Sequence, residues 1–125
     1  MEESILNTTK KLLGVDPEYD SFDTDIIVCV NSALGILNQL GVGPEEGFQI
    51  SGDTETWSDF LPDDLPAQEM AKTYVFLKSK LAFDPPQASG VTEAVKSQIA
   101  ELEWRLFVQL DPEMEKETIQ NGGDG

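Results

Sequence analysis

The chain has 125 residues, the length of a single folded domain, and 39% of them are hydrophobic. Its 24 acidic and 8 basic residues give a net charge of −16, and it contains no histidine. These values exclude a protein that binds nucleic acid or anionic membranes, because both are bound through clusters of Lys and Arg. They are compatible with a protein that lines a passage through which DNA moves without being bound.

The single cysteine, Cys29, lies inside an apolar stretch. An intrachain disulfide is therefore impossible, and we interpret Cys29 as a small buried hydrophobic residue. The N-terminal sequence MEESILNTTKK places its lysines after the apolar residues, which is the wrong order for a secretory signal. We expect synthesis in the cytoplasm.

The first predicted helix covers residues 3–13, where Ile5, Leu6, Leu12 and Leu13 recur on one side. Gly14 and Pro17 follow as helix-ending residues. This segment is therefore predicted to pack one apolar side against the rest of the chain.

The second predicted helix contains the most apolar part of the sequence, Ile26 to Val42. Polar residues interrupt it, and its length falls short of the roughly 20 apolar residues of a membrane span. Because its apolar residues occupy most of the circumference, we predict a central helix of the core. Asp23 or Thr24 is the predicted N-cap, and Gly41 is predicted to end the helix in the left-handed conformation.

Two longer helices are predicted to follow. The third covers residues 66–83 and ends before two prolines, and the fourth covers residues 91–110. Their apolar stripes comprise Met70, Tyr74, Leu77 and Leu81 in the third helix, and Val91, Val95, Ile99, Leu102, Leu106 and Leu110 in the fourth. The predicted fold class is therefore all-α, a small bundle of about four helices.

A long irregular acidic loop, GVGPEEGFQISGDTETWSDFLPDDLP, separates the second helix from the third. Residues 48–51 are a candidate extended piece, and Thr54 or Thr56 is predicted to cap one helical turn that reaches Leu61. The apolar side chains isolated in this loop are Phe48, Ile50, Trp57 and Phe60. Such a loop is either functional or held down by its own apolar side chains, and the sequence leaves both open.

The last helix carries a second apolar surface. At about 100° per residue, Trp104 lies about 180° from Val95, and Phe107 and Val108 flank it. Either another part of the chain, such as the loop with Trp57 and Phe60, covers this surface, or another subunit binds it. Leu110 and Met114 extend the candidate portal or subunit interface. Residues 111–125 have the composition of a solvated acidic tail, which we expect a partner to order.

No catalytic, cofactor or metal site is predicted. Asp16, Glu18 and Asp20 have the spacing of the first calcium-loop ligands, but Ser21 replaces the required glycine and Ile27 the bidentate glutamate. The segment GVGPEEG places acids where a phosphate would bind. With no histidine and a single cysteine, the chain is not expected to be an enzyme.

Five segments in order resemble the small head–tail connector (adaptor) proteins of long-tailed phages and prophages of Gram-positive bacteria. They are FDTDIIVCVNSALGILNQLGVGP, GFQIS, TWSDFL, MAKTYVFLKSKLAFDPP and QIAELEWRL. The resemblance covers residues 4–110. It implies a helical connector domain over residues 1–110, followed by the tail of residues 111–125.

The resemblance also implies a role and partners. Such proteins form a ring, commonly dodecameric, beneath the portal in the virion neck, and DNA passes through it without specific binding. Residues 104–125 are then candidates for facing the portal, and the loop of residues 43–65 is a candidate for contacts with a subunit, stopper or tail protein. The alternative from another class is a small acidic DNA mimic that inhibits a DNA-binding enzyme. That role requires rows of carboxylates on one exposed face, whereas here they cluster in loops and tail.

Overall fold

A computed structural model describes residues 4–110, with only the backbone for Leu110. These residues form five helices: α1 (Ile5–Leu13), α2 (Asp23–Gln39), α3 (Trp57–Phe60), α4 (Leu65–Phe83) and α5 (Ser89–Leu110). This part of the chain contains no strand, only an isolated antiparallel bridge between Ser4 and Thr56. The prediction of an all-α bundle is confirmed. The predicted acidic tail lies outside the described residues, and its ordering by a partner stays a prediction.

Local signals determine both ends of α1. The Ser4 hydroxyl accepts a hydrogen bond from the Asn7 amide at 3.2 Å, which satisfies one of the free N–H groups of the first turn. Gly14 ends the helix with a φ of 84°. Ile5 and Leu6 are buried, but the prediction for Leu12 is wrong, because it lies on the solvent side and is 49% exposed.

The helix α2 buries Ile26, Val30, Leu34 and Leu37 completely, as its predicted stripe requires. Its predicted N-cap is wrong. Phe22 occupies the cap position without a side-chain capping bond, and Asp23 lies in the first helical turn. Gly41 has a φ of 85°, which confirms the left-handed residue predicted after this helix.

Asp23 has a different role, because its carboxylate pairs with a buried cation. The Nζ of Lys10 lies 2.6 Å from Oδ1 of Asp23 and donates another hydrogen bond to the carbonyl of Pro17 at 2.8 Å. The Lys10 side chain is only 1% exposed. Since a buried ammonium group needs such partners, this pair joins α1 to the start of α2.

The central helix is α4, not α2 as predicted. α4 contacts all four other helices, and α1 and α2 also contact each other. The alanines 67 and 71 on its buried face permit close approach, and Tyr74 and Val75 fill the space beside them. The α2 prediction fails because Val28 is 61% exposed, so one side of that helix has no neighbour. We call α1, α2, α4 and residues 40–64 the body.

The longest helix, α5, packs mainly against α4. Ile99 and Leu106 of its predicted stripe are buried, whereas Val91 is 51% exposed. The Tyr74 hydroxyl donates a hydrogen bond to the Glu103 carboxylate at 2.7 Å and so links the two helices. Burial, together with this bond and the charge of Glu103, raises the pKa of Tyr74 far above its usual value.

Candidate assembly surface

The outer face of α5 carries an exposed aromatic surface. Trp104 is 57% exposed, and its ring stacks on Phe107 with centroids 6.0 Å apart and planes 28° from parallel. Phe107 and Val108 are half-buried beside it. We call Trp104, Phe107 and Val108 the α5 patch. The patch lies on the outer face of the helix, as predicted from about 100° per residue. Its binding of another subunit or the portal stays a prediction.

The alternative in which the long loop covers this patch is wrong. Trp57 and Phe60 are 2% and 1% exposed because they lie in the core of the body. Trp104 remains largely exposed. Within residues 4–110, therefore, the α5 patch is available to a partner. Two further candidates for the same interface, the side chain of Leu110 and the whole of Met114, lie outside the described residues.

The loop candidates are mostly inside the molecule. Ile50, Trp57 and Phe60 belong to the core, and Phe48 is half-buried with its ring 5.4 Å from that of Phe60. The loop is therefore held down by its own apolar side chains, one of the two possibilities open from sequence. Contact of these residues with another subunit or a stopper stays a prediction, and Phe48 is the most accessible of the four.

Two asparagines of α2 fix the first half of the loop. The Asn31 amide donates to the carbonyl of Ile50 at 3.0 Å, and its Oδ1 accepts from the Ile50 N–H at 2.8 Å. The Asn38 amide donates to the carbonyl of Pro44 at 3.0 Å. No strand is needed over residues 48–51, because Asn31 pairs with Ile50 as a neighbouring backbone would. Two amides in a strongly apolar helix are the sequence signal for this arrangement, but helical periodicity alone does not reveal what they bind.

The second half of the loop is capped and tied to α1. Thr56 is the residue that caps α3: its hydroxyl accepts from the Asp59 N–H at 3.1 Å, and the Asp59 carboxylate accepts from the Thr56 N–H at 3.0 Å. The Ile5 N–H donates to the carbonyl of Glu55 at 2.9 Å, and Nε1 of Trp57 donates to the Thr8 hydroxyl at 3.3 Å. The loop is therefore an integral part of the body.

Gly43 allows the two halves of the loop to meet. Its φ is 93°, and a Cβ atom at this position would overlap the ring of Phe60. Both the backbone conformation and the space therefore require glycine. Phe60 can reach the core only because it passes directly over this residue.

An aromatic cluster that was not predicted from the sequence lies where α2 begins. The rings of Tyr19 and Phe22, and those of Phe22 and Phe83, lie 5.3 Å apart in edge-to-face arrangements. These contacts join the α1–α2 connection to the end of α4. Their stabilisation is typical of such pairs, about 0.5–1.5 kcal/mol each.

The described residues provide no metal-binding cluster of three or more acidic or cysteine ligands. Asp16, of the calcium-like spacing, uses its carboxylate to accept the Glu18 N–H at 2.9 Å. Cys29 is half-buried rather than buried, and burial and the charge of Asp25 raise its pKa. Across residues 4–110, no helix is long and apolar enough to cross a membrane.

Comparison with protein families gives a match that covers most of the chain. The family model described as phage connector protein matches residues 5–113. This range contains every described helix and the α5 patch. Comparisons with curated proteins and with solved structures give no significant match.

Proposed function

The chain belongs to the phage connector protein family, and from this premise we propose that it is the head–tail adaptor that forms a ring beneath the portal. The family supports a connector-type structural role at the head–tail interface of the virion. The ring would join the filled capsid to the tail in the virion neck and form part of the DNA channel. In this role the chain catalyses no reaction.

The observation that carries the proposal is the α5 patch. Trp104 is a large side chain left 57% exposed on a helix that packs mainly against one neighbour. Aromatic residues of this kind are enriched at the centres of protein interfaces. A ring subunit shares such surfaces with neighbours and with the portal, which accounts for apolar area that the chain leaves uncovered.

The charge supports the passage of DNA. Net charge is −16, and exposed carboxylates are concentrated in the connections between helices, including Asp16, Glu18, Asp20, Glu45, Glu46 and Asp63. Carboxylates repel phosphates, and residues 4–110 present no exposed cluster of Lys and Arg whose counterion release would hold DNA. A ring of such subunits would therefore bind a passing DNA duplex only weakly and would not slow its movement.

The test is electron microscopy of the protein mixed with the portal protein of the same phage, beside each protein alone. We expect additional ring density on one end of the portal. Well-formed portals that stay bare at high protein concentration would overturn the proposal. An inhibitor of DNA-binding enzymes would then be the reading to test.

Two variants sharpen this experiment. Trp104→Ala is expected to reduce portal occupancy at least about tenfold, in the range of interface hot spots. Val91→Ala, an exposed apolar residue on the same helix, is the matched control and is expected to bind normally. Unchanged occupancy for Trp104→Ala, combined with loss of function on reversing Glu45 and Glu46 to lysine, would favour the DNA mimic instead.

A further inference from the structure

The rest of the chain covers one flank of α2 and leaves the other flank exposed. On one flank, Asn31 and Asn38 hold the loop through hydrogen bonds to Ile50 and Pro44. Val28, Ser32 and Ile36 lie about 60°, 100° and 140° around the helix axis from Asn31, towards the other flank. That flank is open, and Val28 is 61% exposed. Beside its buried face, α2 is therefore covered on one flank only.

This open flank forms one wall of a groove. The groove has a volume of about 380 Å³, and α4 provides its other wall. Apolar groups dominate the surface: Val28, Cys29, Ala33 and Ile36 from α2, and Leu81 and Ala82 from α4. Such a groove can accept apolar side chains from the face of another helix. We call it the α2–α4 groove.

One cation borders the groove. Lys78 of α4 lines it together with Ser32. No ion pair joins Lys78 to a carboxylate of residues 4–110, whereas Lys80 on the same helix pairs with Asp84 at 2.9 Å. In a chain with a net charge of −16, an unpaired lysine beside an apolar groove provides a place for a carboxylate.

We infer that the α2–α4 groove receives the α5 patch of a second copy of this chain. This inference rests on the proposed ring, and it specifies the two surfaces that meet there. Trp104 and Phe107 of one copy would enter the groove of the next. Lys78 of the receiving copy would meet Glu101 beside the patch.

Charge complementarity identifies the second copy as the occupant. On α5, Glu101 lies about 60° around the axis from Trp104 and one turn before it, so both belong to the outer face. Among residues 4–110 of the single chain, Glu101 pairs only with Arg105, at 2.9 Å, and both side chains are about 60% exposed. Such an exposed pair is worth little, so Glu101 is free to exchange it for Lys78. Two copies of so acidic a chain repel each other, and a cation at the contact offsets part of this repulsion.

The arrangement of the helices suits a ring. The groove is lined by α2 and α4 and the patch lies on α5, so the two are different surfaces of one molecule with no residue in common. A contact between two different surfaces is heterologous, and it closes into a ring when the rotation between subunits is suitable. The same contact repeated through every subunit would cover Val28 and Trp104 together.

Cys29 allows a direct test, because it lines the groove and is the only cysteine of the chain. Ala100→Cys adds a thiol on the outer face of α5, one turn from Trp104. The portal-bound Ala100→Cys variant is oxidised with diamide near pH 9. Alkaline pH is chosen because the thiolate is the reacting form. We expect disulfides between subunits, and a ladder of dimers, trimers and larger species on denaturing gels. Gln109→Cys, about 140° around the helix from Trp104, is the matched control, and Cys29→Ser removes the acceptor thiol.

A charge exchange tests the ion pair. Lys78→Glu is expected to lower the ring occupancy of portals about tenfold, as is Glu101→Lys. The double variant is expected to recover most of the loss. Lys80→Glu is the control, because Lys80 lies on the same helix and does not line the groove.

The outcomes separate this inference from the proposed function. Rings on the portal with a cross-linked ladder support both. If rings form without cross-linking from Ala100→Cys and without recovery in the double variant, the groove assignment is wrong and the adaptor role stands. Cross-linked dimers with no larger species indicate a symmetric contact and overturn the heterologous pairing. Bare portals overturn both.

Discussion

The body and α5 differ in how completely one chain covers their apolar residues. In the body, each of α1, α2 and α4 contacts the other two, and the loop closes over one flank of α2. The helix α5 has 22 residues, yet its main neighbour is α4 and its outer face is open. Two tryptophans mark the contrast, because Trp57 is 2% exposed and Trp104 is 57% exposed.

This difference indicates that folding and assembly depend on separate residues. A side chain buried in the body stabilises the single chain, whereas an exposed aromatic residue on α5 contributes only when a partner covers it. Substitutions in the two regions should therefore change different measurements. The following five substitutions test this separation, from the largest expected effect on stability to the smallest.

Trp57→Ala should cause the largest loss. The indole is buried in the core and donates to the Thr8 hydroxyl at 3.3 Å, so its removal leaves a cavity and an unmade hydrogen bond. We expect the free energy of unfolding to fall by about 3–5 kcal/mol. Urea denaturation followed by circular dichroism measures this loss. A loss below about 1 kcal/mol would show that α3 is not part of the cooperative core.

Lys10→Ala should come next, because it leaves the Asp23 carboxylate and the Pro17 carbonyl without their cation. Since Asp23 retains 31% exposure, water recovers part of the loss, and we expect about 2–3 kcal/mol. Lys11→Ala is the matched control, because Lys11 is exposed. Equal midpoints of urea denaturation for the two variants would contradict the structural role of Lys10.

Asn31→Ala should loosen the loop at a cost of about 2 kcal/mol, because it removes both hydrogen bonds to the Ile50 backbone. Hydrogen exchange of the Ile50 amide should accelerate, whereas core amides of α4 should change only with global stability. Gln39→Ala, an exposed change near the end of the same helix, is the control. An unchanged Ile50 exchange rate would show that the loop is held by its apolar side chains alone.

Tyr74→Phe should cost about 1 kcal/mol at neutral pH, because it removes the hydrogen bond to Glu103. It should also change how the free energy of unfolding declines at alkaline pH. The pKa of Tyr74 is raised in the folded chain, so its contribution is present below the unfolded value of about 10 and declines as pH rises above it.

The pH dependence is measured by urea denaturation between about pH 8 and 11. Cys29, whose pKa is also raised, acts in the same direction, so both proteins carry Cys29→Ala. We expect the loss of stability above about pH 10 to be smaller in Tyr74→Phe than in its parent. Tyr19→Phe, at an exposed tyrosine, should leave the profile as it was. Parallel profiles for Tyr74→Phe and its parent would show that this tyrosine does not control alkaline unfolding.

Trp104→Ala should have the smallest effect on stability, within about 0.5 kcal/mol, because the indole is already largely in water. It is the same chemical change as Trp57→Ala in the other region. A loss comparable with that of Trp57→Ala would mean that the α5 patch supports the fold of the single chain.

The sequence predicted the features that depend on local patterns. Helical periodicity located α1, α2, α4 and α5, and Gly14 and a threonine at position 54 or 56 marked helix ends through short-range chemistry. The position of Trp104 on an outer face followed from 3.6 residues per turn alone. Features of this kind need no knowledge of which elements become neighbours.

The features it failed to predict depend on long-range packing. The sequence does not specify that Asn31 reaches Ile50, or that Lys10 reaches Asp23, because each bond requires the relative placement of two elements. α2 was predicted to be central because it is apolar nearly all round, and only the arrangement of its neighbours shows that the flank with Val28 is open. The groove beside it could not be found from periodicity for the same reason.

Gly43 and Phe60 have a consequence for how this loop can evolve. Because the ring of Phe60 lies where a Cβ at position 43 would lie, and because the φ of Gly43 is positive, two separate constraints keep glycine at position 43. A smaller residue at position 60 removes the steric conflict but leaves the backbone strain at position 43. We therefore expect related chains to retain this glycine, whereas exposed neighbours such as Glu45 and Glu46 can be replaced freely. The acidic stretch can then change in sequence while the backbone at position 43 stays the same.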